Sequence, residues 1–294
     1  MHTPNTLNPK TPALWGYAGV FPGEFRIWDG DELLNKLRFM AEQGFGCTGL
    51  GLKQVGEPAR LQQVSDTLRK YHLSVSLHFH ASFFTATLEE LRSQVADYLA
   101  RLDEVRGALD VALIALNAGP FHRFMREPNL AFQMDRLALA LQPLAAGCAE
   151  RGIPLGIENH IDYFATDLAA LCDRVPGLGI FFDTGNSPLL GEKPLDAARV
   201  VAPYLVGTHF KDLCVIPDEN TLSSLNIGAT LGEGDMDLEN VYQALIEGAA
   251  HPEKLVMQIE LIPPPDSDPW ESLRRSKDFI ERISGHRFLA SIES

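Results

Sequence analysis

The chain has 294 residues, 45% of them hydrophobic and 22% charged, and its 39 acidic against 25 basic residues give a formal net charge of -14. That charge repels a phosphate backbone, and no Lys/Arg-rich run offers a local exception, so nucleic acid is not an expected partner. The length suits one (β/α)8 barrel of about 250 residues as well as it suits two average domains, and the composition supports a large core without disulfides or structural metals.

Residues 1–13, rich in Pro, Asn and Thr, read as an N-terminal tail. From Leu14 onward short apolar runs alternate with longer helical patterns. The runs are Leu14 to Val20, Cys47 to Leu52, Leu73 to Phe79, Val111 to Leu116, Ile153 to Glu158, Leu178 to Asp183, Tyr204 to Phe210 and Leu255 to Leu261. Between them lie DELLNKLRFMAEQG, EPARLQQVSDTLRKYH, LEELRSQVADYLARLDEV, FQMDRLALALQPLAAGCAERG and LENVYQALIEG, each with the spacing of an amphipathic helix. Eight repeats without a GxGxxG turn predict an α/β fold, a single (β/α)8 TIM barrel over residues 14–294, rather than an open doubly wound sheet.

The segment Leu213 to Asp235 is expected to be a long loop at the functional face, with Gly228, Gly232 and Gly234 giving it the flexibility to cover a substrate. Cys47, Cys148, Cys172 and Cys214 show no CxxC or CxxH spacing, which predicts reduced thiols. No apolar run approaches the roughly 20 residues of a membrane helix, and the N-terminus lacks a signal-peptide pattern. The expectation is a cytoplasmic protein with no membrane association.

Glu158, Asp183, His209 and Glu260 each stand where an apolar run ends, in PLGIENH, LGIFFDTGN, YLVGTHFKD and LVMQIEL. Parallel strands of one barrel would bring these ends to a single mouth, where three carboxylates and one imidazole could share one divalent ion. Such a hard donor set suits Mn, Mg, Co or Fe(II) better than structural zinc, although zinc stays possible. Gly156 and Gly207, two residues before Glu158 and His209, would face the same way and leave inward space, or else mark close backbone packing.

The motifs IENH, FDTGN, THFKD, GEGD and QIE, in this order, resemble the xylose isomerase-like barrel superfamily, in particular its sugar isomerase and epimerase group with ketose 3-epimerases and inosose dehydratases. The resemblance covers the second half of the chain closely; the first half shares the βα alternation and LHFHASF. It implies that Glu158, Asp183, His209 and Glu260 bind one metal ion and that Glu158 and Glu260 also act as the acid and base on a carbohydrate substrate, through an enediolate. Two departures stand out. Asn186 replaces a histidine common among the epimerases, and Asn117 stands where related endonucleases carry a zinc-binding histidine, which disfavours DNA repair.

His80, at the end of the third strand, is placed to meet a substrate hydroxyl, with His78 deeper. Asn117, Asn186, and Asn159 and His160 directly after Glu158, are likewise expected to bind the substrate, and Lys211 could neutralise an enolate or pair with a substrate anion. Asp212, Glu233 and Asp235 could be ordinary turn acids, while Trp15 and Phe83 could stack on a sugar or belong to the core. The expected activity is sugar isomerisation or epimerisation. The alternatives are a metal-dependent lyase, either a dehydratase or a keto-glycoside eliminase, and a non-catalytic sugar-binding barrel. By resemblance a homo-dimer or tetramer is expected.

Overall fold

The computed structural model describes residues 12, 14–19, 31–80, 87–218, 220 and 224–290. Strands β1 (Leu14–Tyr17), β2 (Cys47–Gly51), β3 (Ser74–His80), β4 (Val111–Asn117), β5 (Leu155–Glu158), β6 (Leu178–Asp183) and β7 (Leu205–Phe210) are followed by a hairpin, β8 (Asp212–Pro217) and β9 (Ser224–Ala229), and then β10 (Val256–Ile259). The eight parallel strands close in the order β1-β10-β7-β6-β5-β4-β3-β2, and all eight fall within one or two residues of the predicted apolar runs or inside them. Covering a strand on both faces requires a nearly continuous apolar sequence, and β6 meets that demand with all six residues buried.

Helices α1 (Glu32–Glu42), α2 (Pro58–Lys70), α3 (Leu88–Arg106), α4 (Leu130–Glu150), α5 (Ala165–Arg174), α6 (Pro194–Val201), α7 (Leu238–Gly248) and α8 (Pro269–Ser284) surround the barrel. Several of their starts are fixed by side-chain capping. Asp31 accepts from the Leu33 and Leu34 amides, and Thr87 with Glu90 forms a reciprocal capping box at α3. None of the helices among the described residues is long and apolar enough to cross a membrane.

The core has two layers. Leu, Ile, Val and Phe side chains fill the shell between strands and helices, while Cys47, Leu113, Ala115, Phe181 and Val256 plug the barrel interior. A Cβ on Gly156 would come within 2.7 Å of Val206, and one on Gly207 within 2.8 Å of Leu113. Of the two readings of these glycines, close packing is the one observed: the floor under the mouth is filled, not open. Trp15 also belongs to the core, since it is 1% exposed and touches Phe210, Tyr242, His286 and Phe288. Phe83, like the tail as far as Thr11, lies outside the described residues.

The segment after β7 differs from expectation. It is not an irregular loop but the antiparallel β8–β9 hairpin, paired from Asp212↔Ala229 to Pro217↔Ser224, followed by a tight turn. Asp212, 1% exposed, holds that turn by accepting from the amides of Gly232 (2.8 Å), Gly234 (3.1 Å) and Met236 (3.3 Å). The three glycines are sites of close approach rather than hinges. A Cβ on each would collide with Ile262, the Phe279 ring or the Asp212 carboxylate, respectively. Glu233 pairs with Arg275 and Asp235 accepts from the Val215 amide, so both are turn acids.

Candidate active site and metal centre

Strands β5, β6, β7 and β10 are consecutive neighbours in the barrel, so the four strand-end residues line one continuous arc of its rim. Register fixes their level. Asp183 and His209 are direct Cα partners, and Gln258, two residues before Glu260, is the partner of His209 on the other side. Glu158, Asp183 and His209 each place one donor atom within 4.8 Å of the others. Ligand bonds of about 2.0–2.4 Å separate donor atoms by at most about 4–5 Å, so this buried cluster could hold one metal ion.

Glu260 completes the arc but turns partly to a different partner. Its Oε2 lies 3.5 Å from His209 Nδ1 and 2.7 Å from Lys211 Nζ, which also reaches Asp183 Oδ2 at 2.8 Å. The other carboxylate, Glu158 Oε1, is 3.0 Å from the same His209 nitrogen. Above them opens a cleft of about 270 Å³, lined by His78, Asn117, Glu158, His160, Asp183, Asn186, His209, Lys211 and Glu260 together with Ala115 and Leu116.

The electrostatics follow from burial opposed by charge. Burial pushes the Glu158 carboxyl up, but the hydrogen bond and charge of His209, with smaller help from His78 and His160, hold it below the ordinary value. Burial pulls the His209 imidazole down, and the surrounding carboxylates, Glu158 first, raise it overall. Asp183 is pushed up to about 6 by burial against the opposing charge of Lys211. Lys211 loses by burial, yet Asp183 and Glu260 bring it to about 12, so it stays an ammonium at neutral pH.

Of the other residues singled out in the sequence, Asn117, His160, Asn186 and Lys211 all face the cleft. Asn159 does not. Its amide oxygen accepts from the Asp183 amide at 2.6 Å and its nitrogen donates to the Asp183 carbonyl at 2.9 Å, clamping β5 to β6 behind the site. Asn186 donates to the Asn159 carbonyl at 3.0 Å while keeping a place in the cleft wall. The His80 side chain lies outside the described residues.

Sequence reasoning set aside His78 as too deep, but its ring lies parallel to His209 at 5.5 Å and 7°, in the cleft wall. Phe181 closes the floor below, meeting His209 edge-on at 4.7 Å and 89°. Period-two alternation in SLHFH and in GIFFD carried the only signal for these two, placing His78 on the face of Ser76 and Phe181 on that of Asp183.

Next to Glu158, the β5–α5 loop carries Ile161 at φ 54°, an unfavourable backbone for a β-branched residue. Asp162 holds this shape, with Oδ1 accepting from the amides of His160 (3.0 Å) and Tyr163 (2.8 Å). Burial of Asp162, opposed by these amides, raises its carboxyl from 3.8 to about 6. A raised folded-state pKa means that its stabilising contribution is complete below about pH 3.8 and is lost as pH rises through about 6. The loss amounts to about 3 kcal/mol at about 1.4 kcal/mol per pKa unit. Asp162→Asn keeps the acceptor oxygen and has no charge, so its unfolding free energy, measured by urea titration, should gain on wild type by that order between pH 4 and 7. Parallel pH curves for the two proteins would refute the assignment.

A family model described as the xylose isomerase-like TIM barrel matches residues 37–250. The uncharacterized protein YihM of Escherichia coli K12 is 27% identical over 122 residues, which are 41% of this chain and 37% of YihM, so the match spans little more than a third of that relative. D-psicose 3-epimerase from Clostridium cellulolyticum H10, solved with D-tagatose, has a TM-score of 0.66 at 12% identity, covering 92% of this chain and 98% of its own. The probable 3-DHS dehydratase AsbF of Bacillus anthracis has a TM-score of 0.63 at 14% identity, covering 88% and 96%. Such low identities carry the fold alone, whereas the family model takes in well over half of the sequence. The chain belongs to the xylose isomerase-like TIM barrel family.

Proposed function

We propose that this protein is a divalent-metal-dependent isomerase or epimerase of a sugar or a polyol-derived ketone. The observation that carries the reading is the convergence of Glu158, Asp183 and His209 within 4.8 Å at the mouth of the barrel, with Glu260 beside them. One imidazole and three carboxylates, with no thiol, match a hard or borderline ion such as Mn, Mg, Co, Fe(II) or Zn. When bound, such an ion polarises a carbonyl and its neighbouring hydroxyl and acidifies the C–H between them.

The chain's own groups would do the rest. Glu260, whose side chain is 25% exposed against 9% for Glu158, has the better access to a substrate in the cleft and takes the proton; Glu158, protonated from solvent, returns one from its own side, and Glu260 releases its proton to solvent to close the cycle. Proton return to the opposite face of the same carbon gives an epimer, and return to the next carbon gives an isomer. Asn117, His160 and Asn186 supply hydrogen bonds to hydroxyls, and Lys211 supplies positive charge for a developing oxyanion. Elimination of a β-leaving group on the same scaffold is the second reading, and the likeness in fold to the probable dehydratase AsbF favours keeping it.

The test is metal content by plasma mass spectrometry on chelator-free protein, followed by incubation of the metal-loaded protein with ketoses, inososes and 3-keto-glycosides. We expect near-stoichiometric metal in wild type, loss of it in Glu158→Ala/His209→Ala, and a product of unchanged mass. A product lighter by water, or a split glycoside, selects the lyase. Metal-free protein that stays so after soaking in Mn²⁺ would sink both.

A further inference from the structure

Lys211 is buried at 8% exposure with its Nζ between Asp183 Oδ2 (2.8 Å) and Glu260 Oε2 (2.7 Å), two of the four residues assigned above to the metal. The arrangement is built rather than incidental. The Lys211 backbone is fixed to the turn after β6 on both sides, its amide donating to Thr184 Oγ1 at 2.8 Å and its carbonyl accepting from the same hydroxyl at 2.7 Å. The aliphatic stem then runs over Gly185, where a Cβ would lie 2.6 Å from Lys211 Cδ. A side chain at position 185 would have to push that stem aside.

We propose that Lys211 is a positioning residue that acts as an internal counter-cation, competing with the divalent ion for Asp183 and Glu260. The proposal rests on the metal-dependent reading above. Three carboxylates gathered in a buried arc repel one another, and a neighbouring cation offsets that repulsion when no metal is bound. A divalent ion that takes Asp183 and Glu260 removes both partners of the ammonium, and the freed ammonium is left to an oxygen of the substrate. Metal occupancy and the availability of Lys211 are thereby linked: an empty site holds its own cation, and a loaded site releases it.

The probe is Mn²⁺ alone, titrated into chelator-free wild type and Lys211→Met, with affinity read by calorimetry and the Mn²⁺-induced rise in melting temperature read in parallel. Removing a competing charge at salt-bridge distance should tighten binding about ten-fold or more. The melting temperature of Lys211→Met should be lower than wild type without metal and should rise more when Mn²⁺ is added. A purely structural lysine would lower the melting temperature without tightening the metal.

Gly185→Ala keeps the charge and displaces the stem, so it should shift affinity in the same direction and serves if Lys211→Met does not fold. Mn²⁺ binding by the variants that is equal to or weaker than wild type overturns the proposal and leaves the metal-dependent reading intact. Binding by the variants but not by wild type overturns metal dependence of the native protein and, with it, the linkage proposed here. Absence of binding in all three proteins overturns both.

Discussion

Glu158→Gln and Glu260→Gln are each expected to reduce turnover by about 10²–10⁴-fold, the range of a positioned acid–base group. Glutamine nearly preserves shape and hydrogen bonding but can neither accept a proton nor contribute charge to an ion. The surroundings of the two residues predict different failures. Glu158 is the more enclosed and is bonded to His209 at 3.0 Å, so its loss should weaken metal binding along with turnover. Glu260 is open to the cleft and shares its carboxylate with Lys211, so Glu260→Gln should lose more turnover than metal.

Exchange of the substrate's C–H with D₂O, followed by NMR, reads proton abstraction separately from product formation. Full exchange with no product in one variant would assign return of the proton to that residue. Wild-type exchange and wild-type product in both variants would remove the two glutamates from the chemistry. Retained metal with no exchange in Glu260→Gln would be the strongest single support for the assignment of the base.

The barrel was legible because its sequence repeats one physical demand eight times: a strand covered on both faces must be apolar, and a helix must follow to cover it. The site was legible because Glu158, Asp183, His209 and Glu260 each interrupt that apolarity at the same end of a strand. The hairpin was not. DLCVIP and SLNIGA are short, and one carries a proline, and the turn that closes the segment depends on Asp212, at the start of the hairpin, gathering three amides twenty to twenty-four residues further on, which no local pattern announces.

Asn159 illustrates a second limit. It stands between two cleft residues, Glu158 and His160, but the chain turns there and its amide points back to the β6 backbone. The LHFH run shows a third. His78 does lie deeper than His80, level with Ala115 and two residues below Asn117, yet the cleft reaches down to it and its ring stands parallel to His209. Orientation at a strand end is decided by the turn that follows, which period-two alternation does not describe.

Phe181→Ala should cost about 3–5 kcal/mol of unfolding free energy, since a fully buried aromatic is removed from a plug of only a few side chains. The glycines around it leave little chance of repair. Gly156 and Gly207 allow strands and side chains to close on Phe181, and neither has a side chain that can move into the vacated volume. The damage should reach the mouth, because the Phe181 ring supports both His209, at 4.7 Å, and His78, at 5.5 Å, edge-on.

Released from that support, His209 has more orientations to lose on binding an ion, so Mn²⁺ affinity should fall even where the protein remains folded. Phe181→Leu separates the two effects. Leucine refills much of the space and should recover most of the stability, while the edge contact with His209, about 0.5–1.5 kcal/mol for such ring pairs, stays lost. Urea unfolding and Mn²⁺ titration of the three proteins decide the matter. If Phe181→Ala unfolds within 1 kcal/mol of wild type (the range of a conservative core swap) and binds Mn²⁺ normally, the interior plug neither holds the barrel nor positions the histidine.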